Sequence, residues 1–208
     1  MARAVSLAGR LLRYALISVA SASLAIALVD GFASRGLAKL EPWHRVNLKQ
    51  EFQRRDNIAD FNAYLAAEDA LFSELQQKIF DDYTPVFSDE INRYIAGNIA
   101  DPARNGPRYN RSYELVPEQV KGAVVLLHGL SDSPYSLRHL GDFFYRQGFH
   151  VVVLRLPGHG TIPAGLLTVQ WEDWAAAADL AIRHARDGLQ DGAPLYLAGY
   201  STGAALAL

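Results

Sequence analysis

One serine in this chain lies in a short motif suited to nucleophilic chemistry. Ser201 is the central residue of Gly-Tyr-Ser-Thr-Gly (residues 199–203), between a strand-like run at 194–200 and a small-residue helical run at 202–208. Glycine on both sides of the serine lets a strand and a helix pass closely. The strained turn between them lifts the hydroxyl out of a sheet and points the helix N-terminus at the reacting centre. The motif therefore predicts attack by Ser201 on a carbonyl carbon.

Two other turns follow strand-like runs in the same way. The run Val-Val-Leu-Leu (124–127) leads into a His-Gly-Leu turn (128–130), and the run 151–154 leads into a Pro-Gly-His-Gly turn (157–160). Parallel strands place such turns at one edge of the sheet, where ligands bind. The first turn can donate a backbone N–H to the oxyanion that forms when a carbonyl is attacked.

These turns require a sheet of parallel strands to bring them together. From about Ser112 onward, short Val/Leu runs that are apolar on both faces alternate with helical patterns. Such runs suit parallel strands buried under helices, and their alternation implies right-handed crossovers. We therefore predict an α/β fold with a mostly parallel, doubly wound sheet. The predicted strands are 112–116, 123–127, 151–156 and 195–200, and the predicted helices are 136–147, 171–186 and 202–208.

Four segments, taken together, resemble the α/β-hydrolase fold. More narrowly, they resemble its branch of carboxylesterases, monoacylglycerol lipases and S33-like serine aminopeptidases. The resemblance covers about residues 113 to 208. The segments are Val-Val-Leu-Leu-His-Gly (124–129), Leu-Pro-Gly-His-Gly-Thr (156–161), Trp-Glu-Asp-Trp (171–174) and Gly-Tyr-Ser-Thr-Gly (199–203).

The resemblance implies a role for each matched residue. Ser201 is the implied nucleophile, and the backbone N–H groups of Leu130 and Thr202 are the implied oxyanion donors. The other matched residues are implied to be structural, and they are His128, Gly129, Gly199, Gly203, Gly158, His159 and Gly160.

The catalytic acid and base of this fold follow the serine in chain order, so His128 and His159 are not expected to act as the base. The residues after Ser201 contain neither Asp nor His. We therefore expect the 208 residues to be the N-terminal portion of a longer hydrolase, truncated after the nucleophile elbow, the strand–turn–helix motif that carries Ser201. We also expect the chain alone to be aggregation-prone and nearly inactive, because an open strand edge and a serine without a base remain.

Composition excludes several other classes of function. The formal net charge is −2 and there is no basic aromatic stripe, so nucleic acid is not an expected partner. The chain has no Cys, which rules out disulfides, a thiolate nucleophile and a zinc–thiolate site. No pair of His or carboxylate residues shows the spacing of metal ligands, so neither a metal nor a cofactor is predicted. His44, His139, His150 and His184 are predicted to be surface or hydrogen-bonded histidines.

The N-terminus resembles a membrane-targeting segment. Arg3, Arg10 and Arg13 precede an uncharged run, 14–29, that ends at Asp30. We expect an uncleaved anchor with its basic end in the cytoplasm and the body outside. A cleaved signal peptide, with Ala-Ile-Ala (25–27) as its site, and a packed helix are the alternatives.

Three regions follow from these patterns. They are a signal anchor or signal peptide at 1–30, a helical extension and linker at 31–111, and the N-terminal part of an α/β-hydrolase domain at 112–208. In the extension, apolar residues recur at helical spacing between Ile58 and Ile79, and a second helix is predicted at 88–99. We interpret the extension as a packing element or spacer.

The leading hypothesis is a membrane-anchored or exported serine hydrolase that cleaves small or lipid-like carboxylic esters through an acyl-enzyme. Residues near Leu130, Ile162 and Leu166 are expected to form the wall of its acyl pocket. A peptidase, an acyltransferase or a lipase would share the same motif residues. A non-catalytic binding module of the same fold is the alternative from another class. The sequence carries no signal for an oligomeric state.

Overall fold

The computed structural model describes residues 2–35, 40–81, 91–106 and 110–208. The chain divides into two compact units, Met1–Leu40 and Glu41–Leu208. Helix α1, Ala2–Arg35, lies in the first unit. Its segment Gly9–Phe32 is 24 residues long with a mean hydropathy of 1.9, and a helix of that length extends about 36 Å. By length and composition, α1 is long and apolar enough to be a membrane span or a signal sequence.

The second unit begins with an extension and continues into alternating strands and helices. Asp60 starts its first helix, because the Asp60 carboxylate accepts a hydrogen bond from the Ala63 N–H at 2.8 Å. The strands are β1 Tyr113–Leu115, β2 Gly122–Leu127, β3 Phe149–Leu154 and β4 Leu195–Gly199, and the helices are α2 Phe61–Leu75, α3 Arg138–Arg146, α4 Trp171–Asp187 and α5 Thr202–Leu206. Short helical turns are Pro42–His44, Arg54–Asp56, Gln76–Asp81, Pro102–Asn105, Pro134–Leu137 and Pro163–Leu167.

The four described strands form one sheet in the order β1-β3-β2-β4. β2 pairs in parallel with β3 and with β4, whereas β1 pairs antiparallel with β3. All four strands lie where the sequence predicted them, and the prediction of a mostly parallel sheet is confirmed. The carboxyl ends of β2, β3 and β4 therefore lie at one edge of the sheet, and the three turns of interest follow them.

Helices cover both faces of this sheet. Val124, Leu126, Val151 and Val153 pack on the face that also carries α3. Alternate residues of the same strands point to the opposite face, where α4 packs, because side chains alternate along a strand. The core of that second face contains the buried residues Phe52, Phe61, Tyr64, Ala123, Val125, Leu127, Val152, Leu154, Leu156, Ala177, Ala178, Leu180, Ala181 and Ala185.

The extension therefore contributes side chains to the core of the sheet, with Phe52, Phe61 and Tyr64 all nearly fully buried. The helix predicted for residues 88–99 is wrong over 91–99, which form turns, while 88–90 lie outside the described residues. Side chains compete there for the backbone donors. Asn92 accepts from the Tyr94 N–H at 2.8 Å, and Asp101 accepts from the N–H of Gly97 at 2.7 Å.

Candidate active site

Ser201 occupies the turn between β4 and α5. Its φ of 53° and ψ of −122° are those of the first central residue of a type II′ turn, a position normally taken by glycine. The N–H of Gly203 closes the turn by donating to the carbonyl of Tyr200 at 3.0 Å. Ser201 is exposed, and α5 begins at the next residue. The hydroxyl therefore projects from a strained backbone at the N-terminal end of a helix.

The glycines on either side of Ser201 are required by close packing. A Cβ on Gly199 would lie 2.5 Å from the Gly203 carbonyl carbon. A Cβ on Gly203 would overlap the carbonyl oxygen of Leu127, at the end of β2. No side chain fits at either position, so β4 and the start of α5 pass as closely as the sequence motif predicted.

The strain at Ser201 has a measurable consequence. A non-glycine residue in such a conformation costs about 1–3 kcal/mol. Glycine avoids this strain, but it loses more conformational entropy on folding, which cancels part of the gain. We expect Ser201→Gly to raise the free energy of unfolding by up to about 1 kcal/mol in urea titrations. A Ser201→Gly protein less stable than Ser201→Ala would contradict the strained geometry.

The turn after β2 lies against the serine. A Cβ on Gly129 would lie 3.3 Å from Cβ of Ser201 and 2.8 Å from a ring carbon of Tyr200, so a side chain here would require the Tyr200 ring to shift. Leu130 follows and is 54% exposed. Among hydrogen bonds between described residues, neither the N–H of Leu130 nor that of Thr202 is a donor. Both amides are therefore available to a ligand.

His128 is fully buried and both of its ring nitrogens bond to the backbone. Nε2 accepts from the N–H of Leu156 at 3.0 Å, so Nδ1 carries the proton and donates to the carbonyl of Gly129 at 2.8 Å. Burial lowers the pKa of His128 to about 4. The imidazole is neutral, and it ties the turn after β2 to the turn after β3.

Acid should therefore weaken this part of the fold. The pKa of His128 is about 4 in the folded chain and about 6.5 when unfolded, so between these values only the unfolded state binds the proton. Stability is then lost as pH falls from about 6.5 to about 4, by up to about 3 kcal/mol. We expect the difference in unfolding free energy between pH 7 and pH 4.5 to be smaller in His128→Asn than in wild type. Equal differences would show that His128 does not titrate on unfolding.

The Pro-Gly-His-Gly turn lies beside His128. The His159 ring is 5.0 Å from that of His128 and 5.5 Å from that of Trp174. His159 Nδ1 lies 2.9 Å from the Pro157 carbonyl, and burial lowers the pKa of His159. The flanking Gly158 and Gly160 have φ values of 79° and 73°, which favour glycine.

A buried charged cluster holds this turn in place. Arg155, 1% exposed, donates to both carboxylate oxygens of Glu51 at 3.0 and 3.3 Å and to Glu68 at 2.9 Å. The same guanidinium donates to the carbonyl of His159 at 3.0 Å. Burial alone would lower the pKa of Arg155, but Glu51, Tyr64 and Glu68 outweigh it and raise that pKa. The extension therefore supplies both carboxylates that fix the turn after β3.

Sequence reasoning did not identify this cluster, although the sequence contains a signal for it. Phe61, Tyr64, Glu68, Leu71 and Leu75 follow a helical spacing of three and four residues, and all are buried. A glutamate on that apolar stripe requires a buried partner. Arg155, directly after the apolar β3, is the cation that meets it.

The expected acyl wall is wrong at one residue. Ile162 is 2% exposed and packs in a core cluster with Trp43 and Leu71, so it has no surface for a substrate. A cavity of about 540 Å³ lies on the extension side, lined among others by Phe72, Tyr94 and Thr161. That cavity includes none of the residues around the Ser201 turn.

The structure also groups three residues for which sequence spacing predicted no metal chemistry. Glu114, His150 and His184 present ligand atoms that all lie within 4.8 Å of one another. They come from β1, β3 and α4, so no short sequence interval could reveal them.

The similarity to known proteins lies in the part of the chain that carries the Ser201 turn. A family model described as serine aminopeptidase, S33, matches residues 118–208. A thermostable monoacylglycerol lipase from Bacillus sp. (strain H-257) is 29% identical over 85 residues, which are 41% of this chain and 33% of the lipase. A solved structure from work on LipS and LipT, two metagenome-derived lipolytic enzymes, is 32% identical with a TM-score of 0.44, over 48% of this chain and 38% of that one.

The chain thus spans 33% and 38% of the lengths of these two relatives. The matched residues 118–208 contain β2 to α5 and the three turns at the carboxyl edge of the sheet. With this match and the mostly parallel sheet that carries the Ser201 turn, residues 118–208 are similar to the α/β-hydrolase superfamily.

Proposed function

We propose that Ser201 is the nucleophile of a serine hydrolase that cleaves carboxylic esters. The observation that carries the proposal is the conformation of Ser201, an exposed serine at φ 53° whose Cβ lies next to the turn after β2. A strained residue at an exposed turn is typical of a functional site. The relatives that are lipases or lipolytic enzymes support an ester or lipid-like substrate.

The reaction follows from the groups around Ser201. Its Oγ attacks the ester carbonyl, its proton passes to a base, and the carbonyl oxygen becomes an oxyanion. The free N–H groups of Leu130 and Thr202 stabilise that oxyanion, and the α5 N-terminus adds a favourable dipole. The tetrahedral intermediate collapses to an acyl-enzyme as the alcohol leaves with a proton, and water then releases the acid.

Among the described residues, no histidine is positioned to act as the base for Ser201. All six histidines lie in the described part of the chain, and none hydrogen-bonds to Ser201 there. His128 has no free ring nitrogen, and His150 and His184 bond to Glu114. We therefore propose that this chain by itself turns over esters slowly, with little beyond the roughly 10³–10⁴-fold acceleration of oxyanion donors and binding.

The substrate surface and the membrane are part of the same proposal. The exposed Leu130 offers an apolar contact beside Ser201 for the acyl group. Helix α1, with Arg10 and Arg13 near its N-terminal end, anchors the chain with its body outside the cytoplasm. The serine aminopeptidase family model favours peptide-bond cleavage as the second candidate.

Supplying the base from solution tests the nucleophile. The full chain in detergent micelles is mixed with p-nitrophenyl butyrate and imidazole, and intact and peptide masses are measured after rapid acid quench. We expect one butyryl group on Ser201, promoted by imidazole. A folded chain that remains unacylated at saturating imidazole would support a non-catalytic binding module instead.

A further inference from the structure

A second polar cluster lies at the other end of the sheet. His150 Nε2 and His184 Nε2 are each 2.9 Å from the same oxygen, Oε2 of Glu114. The pairing of β1 with β3 explains how Glu114 and His150 meet. Glu114 of β1 is opposite Val152 of β3, and side chains on one face recur every second residue, so Glu114 and His150 share the face on which α4 packs. His184 is in the last turn of α4.

The imidazoles are held with their Nε2 atoms converging. The two rings are 5.8 Å apart at 72°, and the ring of Phe61 in α2 packs 5.0 Å from that of His184. The side chain of His150 is 8% exposed, that of His184 25% and that of Glu114 34%. One side of the cluster is therefore protein and the other is open to water.

The donor atoms of the cluster suit a cation. Two His nitrogens with one carboxylate oxygen are a ligand set of Zn²⁺ sites that keep a fourth position for water.

We propose that Glu114, His150 and His184 bind one Zn²⁺ ion, which joins β1, β3 and α4. Donor atoms about 2.1 Å from a tetrahedral Zn²⁺ are about 3.4 Å apart. The present separations of 2.9 Å between each nitrogen and the carboxylate oxygen are about half an ångström shorter than this value, and all three donor atoms lie within 4.8 Å of one another. Each imidazole then presents its Nε2 lone pair to the ion and carries its proton on Nδ1.

The position of the site separates it from the proposed ester chemistry. Ala123 of β2 pairs with both His150 and Leu195, so His150 lies level with the start of β4. The end of β4 lies about 13 Å from its start along the strand direction. Ser201 follows that end. The ion would therefore stabilise the fold rather than activate a substrate at Ser201.

The test is zinc binding to the full chain, prepared without a histidine tag and freed of metal with a chelator. Titration calorimetry with Zn²⁺ is expected to show one ion per chain. Excess Zn²⁺ at about 100 times the dissociation constant is expected to raise the midpoint of thermal unfolding by about 5 °C or more. Co²⁺ in place of zinc is expected to give the visible absorption of a tetrahedral site.

Three variants locate the ion. His184→Asn and Glu114→Gln are each expected to weaken binding at least about 10-fold and to abolish the thermal shift. His139→Asn, at an exposed position of α3, is the matched control and should bind like wild type. Far-UV circular dichroism verifies that each variant is folded. Absence of one-to-one binding by folded wild type, or unchanged affinity in His184→Asn, would overturn the site, and neither result bears on Ser201.

Discussion

Ser201→Ala is expected to lower the imidazole-dependent rate of p-nitrophenyl butyrate hydrolysis by the full chain at least about 100-fold. General-base assistance contributes about 10²–10⁴-fold where a nucleophile is positioned to use it. Added imidazole supplies that base next to an exposed hydroxyl and the two amides that we propose as oxyanion donors. Alanine removes the nucleophile and leaves the amides of Leu130 and Thr202, so the loss measures attack by Ser201 alone.

The measurement is the slope of rate against imidazole concentration, after subtraction of the protein-free reaction. Ser73→Ala is the matched control, since Ser73 is an exposed serine of α2 whose hydroxyl bonds only locally, to the carbonyl of Asp69. It should retain the wild-type slope. If Ser201→Ala also retained it, or if the acyl group were found on another residue, Ser201 would not be the nucleophile.

Arg155→Met is expected to lower the free energy of unfolding at pH 7 by about 3–5 kcal/mol, because it breaks a buried ion cluster from one side. Methionine keeps much of the length of the side chain but leaves Glu51 and Glu68 buried, their side chains 2% and 3% exposed, without their cation. The carbonyl of His159 loses its donor as well. Urea titrations measure the stability, and protease cleavage near residues 157–160 should increase.

Two controls separate the unpaired charge from loss of packing. Glu51→Gln and Glu68→Gln, added to Arg155→Met, remove the orphaned charges and should restore part of the stability. Arg183→Met breaks an exposed pair with Asp179, and we expect a change within about 1 kcal/mol. A loss for Arg155→Met no larger than that for Arg183→Met would mean that the cluster does not stabilise the fold.

The extension has a different importance from the one its sequence suggested. Its composition favoured a packing element or spacer, and Phe61 and Tyr64 do pack against the sheet. Its glutamates, however, reach the turn beside the proposed active site through Arg155. Changes at these glutamates should therefore alter the turn that carries His159, even though they lie 87 and 104 positions before Arg155.

Local patterns in the sequence were sufficient to determine the strands, the order of alternating elements and the Ser201 turn. Each depends on nearby residues: apolar runs predict buried strands, and glycine at 199 and 203 permits the close crossing. The motif at 128–130 was placed beside Ser201 for a similar reason, since parallel strands align their carboxyl ends.

Only the tertiary structure decided which distant charges meet. The Arg155 cluster joins residues up to 104 positions apart, and the Glu114 cluster joins two strands to a helix. Such contacts depend on strand pairing and helix packing, which no short interval encodes. The same applies to His128, whose neutral state follows from burial and from two backbone partners, one of them 28 residues away.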